Sequence, residues 1–411
     1  MTPTSRVTND YDVAVIGAGP AGVCAAAAAG GAASVLLIDS SPRLGGSVTA
    51  AMHRCMCGLY SSAPKDPLDT LNASAQRDIV RRMLTREPAR VLTRQMGKAW
   101  VLEFPAPAWE SSLAEICAES NADVRLGCRV AALRRQGNRI TAIQLQDGES
   151  RWIDVKVLID CTGGGAVLKL AGEDAVFPLD DSAGRILAGF AARLWGIDGD
   201  AELLRLQIPY ALAQAVEKGL LPRVARFAVF YPGPAPGEGI CKLAVNPREL
   251  SNTDAESFMN EVVQHLSRQI PALANARIVE KSPRILPRDG LRLRGRFVVD
   301  DQHVLLARQF GPDAVHAWWP LERWDETEGP TYAYPPIGQH YDIPDAALQS
   351  AAVENLLAAG ACLSATSAAM ASIRASGICL ATGHAAGRLA ASLLKDPGVA
   401  MNCGTSATRP G

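Results

Sequence analysis

The sequence lacks the features that would direct the protein to nucleic acid, to a membrane or to the secretory route. Its 411 residues carry a formal net charge of −1, and this balance gives no support for binding to nucleic acid or anionic lipid. The first ten residues are polar and resemble no secretory signal. Glycines break the apolar run that follows, so it does not read as a transmembrane span. We therefore expect a cytoplasmic protein with neither nucleic acid nor membrane as a partner.

Metal sites and disulfides are also not indicated. No group of histidines, cysteines and acids has the spacing of a metal site. The 10 cysteines are scattered, and several stand inside apolar runs, as small buried hydrophobic residues do. In a reducing compartment we expect free thiols. With 48% apolar and 20% charged residues, the chain has the composition of a globular protein large enough for two or three lobes.

What the sequence does contain is a dinucleotide-binding turn near its start. The apolar run Asp12–Ile16 predicts a buried parallel strand, and a glycine-bearing turn follows it directly. Gly17 permits the tight turn, Gly19 lets the backbone approach a pyrophosphate, and Gly22 lets the next helix pack closely on the strand. That helix is predicted over Ala21–Ala29, with its N-terminal N–H groups facing the phosphates.

The segments after this turn complete the pattern. A second predicted strand, Ser34–Ile38, ends at Asp39, whose carboxylate can accept hydrogen bonds from ribose hydroxyls and argues against the 2′-phosphate of NADP. A glycine-rich turn without a ligand is the alternative interpretation. Near the C-terminus, a second glycine-bearing stretch, Asn355–Cys362, is expected to close the same site. Together they predict one large, non-covalently bound nucleotide cofactor, FAD.

The chain between these stretches predicts an α/β protein. A helix over Trp109–Ser120 precedes three strand-like runs, and the last two of them are joined across the hairpin signal Asp147-Gly148. Those three strands are expected over Val124–Leu133, Arg139–Leu145 and Arg151–Ile159. Later helices are expected over Ser182–Leu194, Thr253–Gln269 and Ile373–Leu394, and later strands over Arg226–Tyr231, Ile240–Val245 and Arg296–Val299.

We therefore expect a Rossmann-like FAD-binding domain, built from a parallel sheet plus a β-meander, with an inserted α+β substrate lobe. The FAD-binding domain is assigned to residues 11–62, 109–175 and 345–396. The inserted lobe is assigned to residues 63–108 and 176–344, where prolines and tryptophans increase. Residues 1–10 and 397–411 are expected to be flexible ends.

These segments resemble the FAD-dependent oxidoreductase family within the glutathione-reductase-type flavoproteins. The resemblance is carried by Val13–Gly22 with Asp39, by Leu44–Thr49, by Ile159–Gly172, and by Val353–Thr366 with Ser372–Arg374 and Gly383–Gly387. The middle of the inserted lobe has no counterpart. The chain also departs from the family where Ala361 replaces a common arginine, and where Gly163–Gly165 lacks the usual aspartate.

The resemblance implies specific cofactor contacts. The helix beginning near Ile373 would aim its N-terminus at the pyrimidine edge of the flavin, where Arg374 would add a positive charge. Val130 would contact adenine through its backbone. The complete set of implied contacts is Gly17, Gly19, Pro20, Ala21, Gly22, Asp39, Ser40, Gly45, Gly46, Val130, Gly163, Gly360, Ile373 and Arg374.

Residues that would meet a substrate are less sharply defined. Cys55 and Cys57 follow the double glycine and are candidates for the substrate side of the flavin, for a redox pair, or for simple packing. His53 in the same loop and His340 near the return of the chain are candidates for a general base. Tyr341 is a candidate for a hydroxyl that orients the substrate. The alternative is that His340 and Tyr341 are loop residues that connect the two lobes.

The sequence leaves open the role of two clusters, one of aromatic residues and one of arginines. His316, Trp318, Trp319 and Trp324 either wall a substrate pocket or belong to the core of the lobe. Five arginines either receive a carboxylate or form a solvated strand face: Arg284, Arg288, Arg292, Arg294 and Arg296. His303 is expected on an exposed turn.

Taken together, these patterns predict an FAD-dependent dehydrogenase or oxidase that takes a hydride from a small organic substrate. The electron acceptor and the oligomeric state are not indicated. The alternatives are a dithiol–disulfide oxidoreductase that uses Cys55 and Cys57, and a non-catalytic, flavin-holding electron-transfer subunit. A monooxygenase would need NAD(P)H, and the sequence has no second complete nucleotide fingerprint.

Overall fold

A computed structural model describes residues 10–62, 69–146, 151–178, 186–233 and 235–396. Its strands are β1 (Asp10–Ile16), β2 (Val35–Asp39), β3 (Cys55–Met56), β4 (Leu92–Met96), β5 (Ala99–Glu103), β6 (Asp123–Leu126), β7 (Arg129–Gln136), β8 (Arg139–Gln146), β9 (Trp152–Asp160), β10 (Val176–Phe177), β11 (Ala188–Trp195), β12 (Val229–Pro232), β13 (Glu238–Val245), β14 (Arg277–Lys281), β15 (Arg292–Leu293), β16 (Val315–Ala317), β17 (Leu321–Asp325), β18 (Gly329–Ala333), β19 (Tyr341–Ile343) and β20 (Leu356–Ala358). Its α-helices are α1 (Pro20–Gly30), α2 (Gly46–Ala50), α3 (Ala75–Arg86), α4 (Ala106–Glu119), α5 (Ala166–Ala171), α6 (Ala201–Glu217), α7 (Asn252–Gln269), α8 (Asp301–Leu305), α9 (Ser367–Ile373) and α10 (Ser376–Lys395).

The largest sheet joins both ends of the described chain. Strands β6, β2, β1 and β9 are parallel neighbours in that order. The far edge of β9 is divided: β8 pairs antiparallel with its first part, and β20 pairs parallel with its last part. Strand β7 then pairs antiparallel with β8, which completes the β-meander. The predicted α/β fold, with a parallel sheet and a β-meander, is confirmed.

One strand boundary within this sheet differs from the prediction. The run Val124–Leu133 is divided between β6 and β7. Gly127, with φ of 70°, turns the chain between them, so β6 joins the parallel edge and β7 enters the meander. The predicted hairpin signal Asp147-Gly148 lies outside the described residues.

Helices α1 and α10 cross at very close range on one face of this sheet. A Cβ added to Gly383 would lie 2.0 Å from the carbonyl oxygen of Ala21, and one added to Gly387 would lie 2.3 Å from that of Ala25. The near-pure alanine sequence of α1 and the glycines of α10 therefore let two backbones meet where larger side chains would hold them apart. This contact joins the start of the described chain to its end.

A second, four-stranded sheet has the order β12-β13-β11-β14 and is antiparallel throughout. Helices α6 and α7 pack apolar side chains against it in a separate hydrophobic cluster. The helix predicted over Ser182–Leu194 is wrong in its described part, because the alanine-rich segment forms β11 between two partner strands. The strand predicted over Arg296–Val299 is also wrong, since only a single bridge from Val299 to Ala365 forms there.

The last predicted helix is also divided. Helix α9 ends at Ile373, Arg374 follows it, and α10 begins at Ser376. Across the described ranges, no helix combines the length and the apolar character needed to cross a lipid bilayer.

Candidate active site

The glycine turn after β1 has the shape that its sequence predicts. Gly17 has φ of 106°, and a Cβ there would lie 2.3 Å from the carbonyl oxygen of Cys161. A Cβ on Gly22 would lie 1.6 Å from the carbonyl oxygen of Gly17. Gly19 differs from both, because the nearest atom to its added Cβ is the Cα of Gly46 at 3.6 Å. Gly17 and Gly22 are thus needed for the turn itself, whereas Gly19 keeps one side of the turn clear.

The N-terminus of α1 is open to an anion. No side chain caps this helix, so its first N–H groups and the positive end of its dipole have no side-chain acceptor. Helix α5, which follows β9 of the same sheet, differs from α1. The N–H groups of Val167 and Leu168 near its N-terminus already donate to the buried carboxylate of Asp160. Of these two helix ends, α1 is therefore the one fitted to a phosphate group.

Asp39 stands at the end of β2, where a ribose-binding acid is expected. Its Oδ2 accepts from the N–H of Ala18 at 2.6 Å, and its Oδ1 accepts from the N–H of Ser41 at 2.7 Å. The carboxylate therefore holds the glycine turn in place. Carboxylate oxygens have several lone-pair positions, so these two contacts leave capacity for ribose hydroxyls. The neighbouring Ser40 is exposed.

Three further glycines predicted to contact the cofactor lie at the same edge of the sheet. Gly45 donates its N–H to the carbonyl of Ala18 at 2.8 Å, which docks the double-glycine turn on the first turn. Gly163 follows β9 with φ of 74° and has open space on its Cβ side. Gly360 follows β20 with φ of 63° and donates to Thr382 Oγ1 at 3.1 Å. The carboxyl ends of parallel strands are where such folds bind nucleotides, and these turns fit FAD.

Next to the double-glycine turn, the loop after α2 faces charged side chains of the second sheet. Its best-defined contact is between Lys242 Nζ on β13 and His53 Nδ1, which are 3.1 Å apart. Solvent reaches the His53 side chain, yet protein surrounds it closely. We infer that His53 and Lys242 face an interior cleft and not the outer surface.

The pair is electrostatically unusual. The charge of Lys242, followed by burial and the charges of Arg288 and Arg374, holds the pKa of His53 well below its ordinary range. Burial, together with the charge of Arg288, lowers the pKa of Lys242 to about 8. His53 is therefore a neutral imidazole at neutral pH, and Lys242 can gain or lose its proton close to physiological pH.

Two arginines and one carboxylate complete the charged wall of the cleft. Arg288 lies over the ring of Trp324 at 4.1 Å and donates to the carbonyl of Leu187 at 2.6 Å. Arg374 donates to the backbone carbonyl of Glu322 at 3.0 Å. Burial opposes ionisation of Glu322, but the charge of Arg374 and hydrogen bonds from two indoles outweigh it and leave its pKa below the ordinary value. Two arginine side chains therefore act on one carboxylate.

The two candidate cysteines border this cleft. Burial raises the pKa of Cys55 to about 11 and holds the pKa of Cys57 well above its ordinary value. Both are free thiols, as are the other described cysteines. The backbone carbonyl of Cys57 accepts from the N–H of Gly377 at 2.7 Å, which ties the loop to the start of α10. Thiols with raised pKa values form little thiolate at neutral pH and are weak nucleophiles.

Several predicted site residues lie elsewhere than expected. Arg374 follows the C-terminus of α9 and does not open a helix, and Ile373 is fully buried at the end of that helix. Tyr341 is also fully buried, with its hydroxyl 2.8 Å from Ser372 Oγ. Burial among apolar groups therefore removes Tyr341 as a substrate contact. Val130 is a mostly buried residue of β7, and its backbone contact with adenine stays a prediction.

Of the candidate histidines, one lies in the cleft and the others lie away from it. His340 contacts His316 and Asp342, and neither of these residues borders the cleft. His303 is buried in α8 and is not on an exposed turn as predicted, because its ring binds Asp300 at 2.6 Å and its backbone closes a capping box. Of the candidate bases, only His53 lies in the cleft.

The sequence interpretation missed Lys242 and Glu322, and it left Arg288 unresolved among other arginines. Lys242 is a single charged residue inside the apolar run of β13, and this interruption was the available signal. Glu322 stands between Trp319 and Trp324, whose indole N–H groups both donate to its carboxylate at 3.1 and 2.7 Å. The two tryptophans thus contribute to the cleft by holding the carboxylate of Glu322 in place. Among the arginines, Arg292 is instead fully buried and paired with Asp289.

Comparison with known proteins identifies a family for this chain. The family model described as FAD dependent oxidoreductase matches residues 12–400. A rifampicin monooxygenase from Rhodococcus hoagii is 25% identical over 291 residues, which cover 68% of this chain and 54% of that protein. The chain therefore spans about half the length of that relative.

Solved structures show a similar fold at low sequence identity. OxyS anhydrotetracycline hydroxylase from Streptomyces rimosus has a TM-score of 0.51 and 15% identity, over 96% of this chain and 65% of that one. A geranylgeranyl bacteriochlorophyll reductase-like protein from Thermoplasma acidophilum has a TM-score of 0.47 and 14% identity, over 96% of this chain and 80% of that one.

Proposed function

The chain belongs to the FAD-dependent oxidoreductase family, and we propose that it is a dehydrogenase or oxidase acting on a small organic anion. The observation that carries this proposal is the contact of His53 Nδ1 with Lys242 Nζ at 3.1 Å beside the double-glycine turn, which provides a proton-accepting pair. FAD bound along the turns would supply the acceptor for two electrons. The narrower assignment to the glutathione-reductase type stays a prediction.

The charges of the cleft favour an anionic substrate. Arg288 and Arg374 act on the carboxylate of Glu322, and Lys242 adds a further positive charge while it is protonated, below a pH of about 8. Electrostatic attraction is stronger in an enclosed site than in bulk water, so an excess of cations there draws a carboxylate or phenolate. Arg288 is held over Trp324 and by a backbone carbonyl. Its guanidinium is therefore oriented in advance to bind the anionic group.

The His53–Lys242 pair provides the proton acceptor. Above a pH of about 8 the amine of Lys242 is neutral. Nδ1–H of His53 can then donate to Nζ, which leaves Nε2 free to accept a proton. As the substrate loses a hydride from carbon, its hydroxyl proton passes to Nε2, and the Nδ1 proton passes to Lys242. The substrate thereby loses one hydride and one proton, and the pair gains one positive charge.

Anaerobic mixing tests this proposal directly. The purified, FAD-containing protein is mixed with small hydroxy acids, and the flavin absorbance is followed. A true substrate bleaches the flavin without any other reductant, whereas its neutral ester does so far less well. Arg288→Lys should raise the substrate concentration needed for half-maximal bleaching, because a single ammonium cannot replace the guanidinium fork. Bleaching that is equal for acid and ester would contradict an anion-binding cleft.

A matched variant controls for general loss of charge or packing. Arg226 is exposed and lies over the ring of Phe227 at 5.2 Å, so it also pairs a guanidinium with an aromatic ring. It is not among the groups whose charges act on the cleft. Arg226→Lys should leave bleaching unchanged.

A second function, hydroxylation, is favoured by the rifampicin monooxygenase relative. In that case the substrate alone would leave the flavin oxidised, and bleaching would require NADH or NADPH. Oxygen would then be consumed together with the nicotinamide, and the product would contain one added oxygen atom. The raised pKa values of Cys55 and Cys57 argue against a dithiol reaction. Turnover by the purified chain alone would exclude a purely electron-relaying subunit.

A further inference from the structure

Two histidines and a buried aspartate meet away from the cleft. His316 lies on β16 and is opposite Asp342 of β19 in the antiparallel register. His340 comes just before β19. The sequence separates His316 from the other two by the whole β17–β18 segment, so their spacing gives no metal-ligand pattern. The paired strands bring the three side chains together.

The three potential ligand atoms are close enough to share one ion. Asp342 Oδ1 lies 2.7 Å from His316 Nδ1 and 3.5 Å from His340 Nε2, and all three atoms lie within 4.8 Å of one another. Ligand bonds of about 2.0–2.2 Å place neighbouring ligands of a tetrahedral zinc ion roughly 3.3 Å apart. Small adjustments of the two imidazoles would therefore bring the group to metal-binding geometry.

The surrounding residues orient this group. The other oxygen of Asp342, Oδ2, accepts from the N–H groups of Phe310 and Gly311 at 2.7 and 3.3 Å. Asn72 binds both backbone groups of His316, through Oδ1 at 3.1 Å and Nδ2 at 2.8 Å. Fixed partners behind a ligand are a common feature of metal sites, because they hold the donor atoms in place.

The site is also open on one side. The Asp342 side chain is 1% exposed, whereas those of His316 and His340 are 27% and 30% exposed. A metal ion could reach the imidazoles from solvent and keep at least one position for water. Two neutral imidazoles and one carboxylate suit zinc and similar divalent transition metals.

We propose that His316, His340 and Asp342 form a binding site for a divalent transition metal, with zinc as the best-suited ion. The ion would fasten the two ends of the chain segment between β16 and β19. This segment carries Glu322 and both tryptophans that bind it, so the metal would hold one wall of the cleft in position. Its role is structural, and it takes no part in the redox chemistry.

Metal titration of the FAD-loaded protein tests the proposal. After treatment with a chelator, the protein is titrated with Zn²⁺ in competition with a chromophoric chelator, and with Co²⁺ while the visible spectrum is recorded. Wild type should bind one equivalent at micromolar concentration, with a Co²⁺ spectrum of nitrogen and oxygen ligation. His340→Ala should weaken Zn²⁺ binding by more than about tenfold. The same variant should lose the rise in melting temperature that Zn²⁺ gives to wild type.

The control is His265→Ala, because His265 is a partly buried histidine of α7 outside the cluster. It should bind Zn²⁺ as wild type does. The proposal would be overturned if wild type bound no Zn²⁺ at micromolar concentration, which would leave the three residues a metal-free hydrogen-bonded group. Equal binding by wild type and His340→Ala, or a thiolate spectrum with Co²⁺, would also overturn it.

Discussion

Replacement of Gly19 separates cofactor binding from folding. Gly19 has φ of −77° and ψ of −173°, which every residue type can adopt. Its added Cβ would meet only the Cα of Gly46, at the ordinary contact distance of 3.6 Å. The apoprotein should therefore fold with Ala at position 19. The methyl group would, however, occupy the side of the turn that a pyrophosphate must approach.

The expected magnitude follows from the contacts that would be lost. One hydrogen bond between a backbone N–H and a charged phosphate is worth about 1.5–3 kcal/mol. Each 1.4 kcal/mol is a factor of about ten in Kd, so Gly19→Ala should weaken FAD binding roughly 10- to 150-fold. Gly19→Val, with two further methyl groups in the same place, should abolish binding.

The assay titrates each apoprotein with FAD and follows flavin fluorescence, while circular dichroism and thermal unfolding report the fold. Gly31→Ala is the matched control, because its Cβ would have no neighbour within 4 Å and its φ is −70°. Gly22→Ala should fail to fold, since its Cβ would lie 1.6 Å from a carbonyl oxygen. A folded Gly19→Val protein that bound FAD as tightly as wild type would refute the assignment of this turn to the pyrophosphate.

Four further outcomes are expected. Asp289→Asn leaves the fully buried guanidinium of Arg292 without its carboxylate partner and should lower the free energy of unfolding by about 3–5 kcal/mol, measured by denaturant titration. The rate of substrate-driven flavin bleaching should rise with pH through an apparent pKa of about 8 and lose this step in Lys242→Met, because only the neutral amine can complete the proton relay. Arg374→Ala should lower the flavin midpoint potential by roughly 30–65 mV in a redox titration, since a charge-assisted contact of about 1.5–3 kcal/mol would be lost; an unchanged potential would mean that Arg374 acts only on Glu322. The double replacement of Cys55 and Cys57 by Ser should keep FAD and most bleaching, and wild-type thiols should alkylate slowly at neutral pH, whereas loss of bleaching with FAD retained would favour the dithiol reaction.

The parts of the fold that depend on local pattern could be predicted from the sequence. This holds for the consecutive elements β1, glycine turn, α1 and β2. In each of them the local residue types indicate the backbone conformation. The interruption between α9 and α10 could not be predicted in this way, because the sequence there continues in small helix-forming residues. It follows from a contact with a distant loop, where Gly377 gives its N–H to Cys57 and a Cβ on Gly377 would lie 2.8 Å from that carbonyl oxygen.

The cleft shows a second limit of sequence interpretation. Lys242 and Glu322 lie in different sheets. Their role in the cleft becomes visible only from their contacts, of Lys242 with His53 and of Glu322 with Arg374. The segment of β11 is rich in alanine, which favours helices, but pairing on both edges outweighs that modest preference. The metal-binding group likewise depends on the register of two short strands, which no local spacing encodes.

The divided edge of β9 has a consequence for the order in which the protein is made. The last part of β9 stays unpaired on that side until β20, Leu356–Ala358, has been synthesised. An open strand edge is a template for pairing with other chains, so the nascent protein carries this hazard while the residues between β9 and β20 are synthesised. Late pairing over so long a sequence separation also slows folding. Chains that terminate before β20 should therefore aggregate and not persist as smaller folded units.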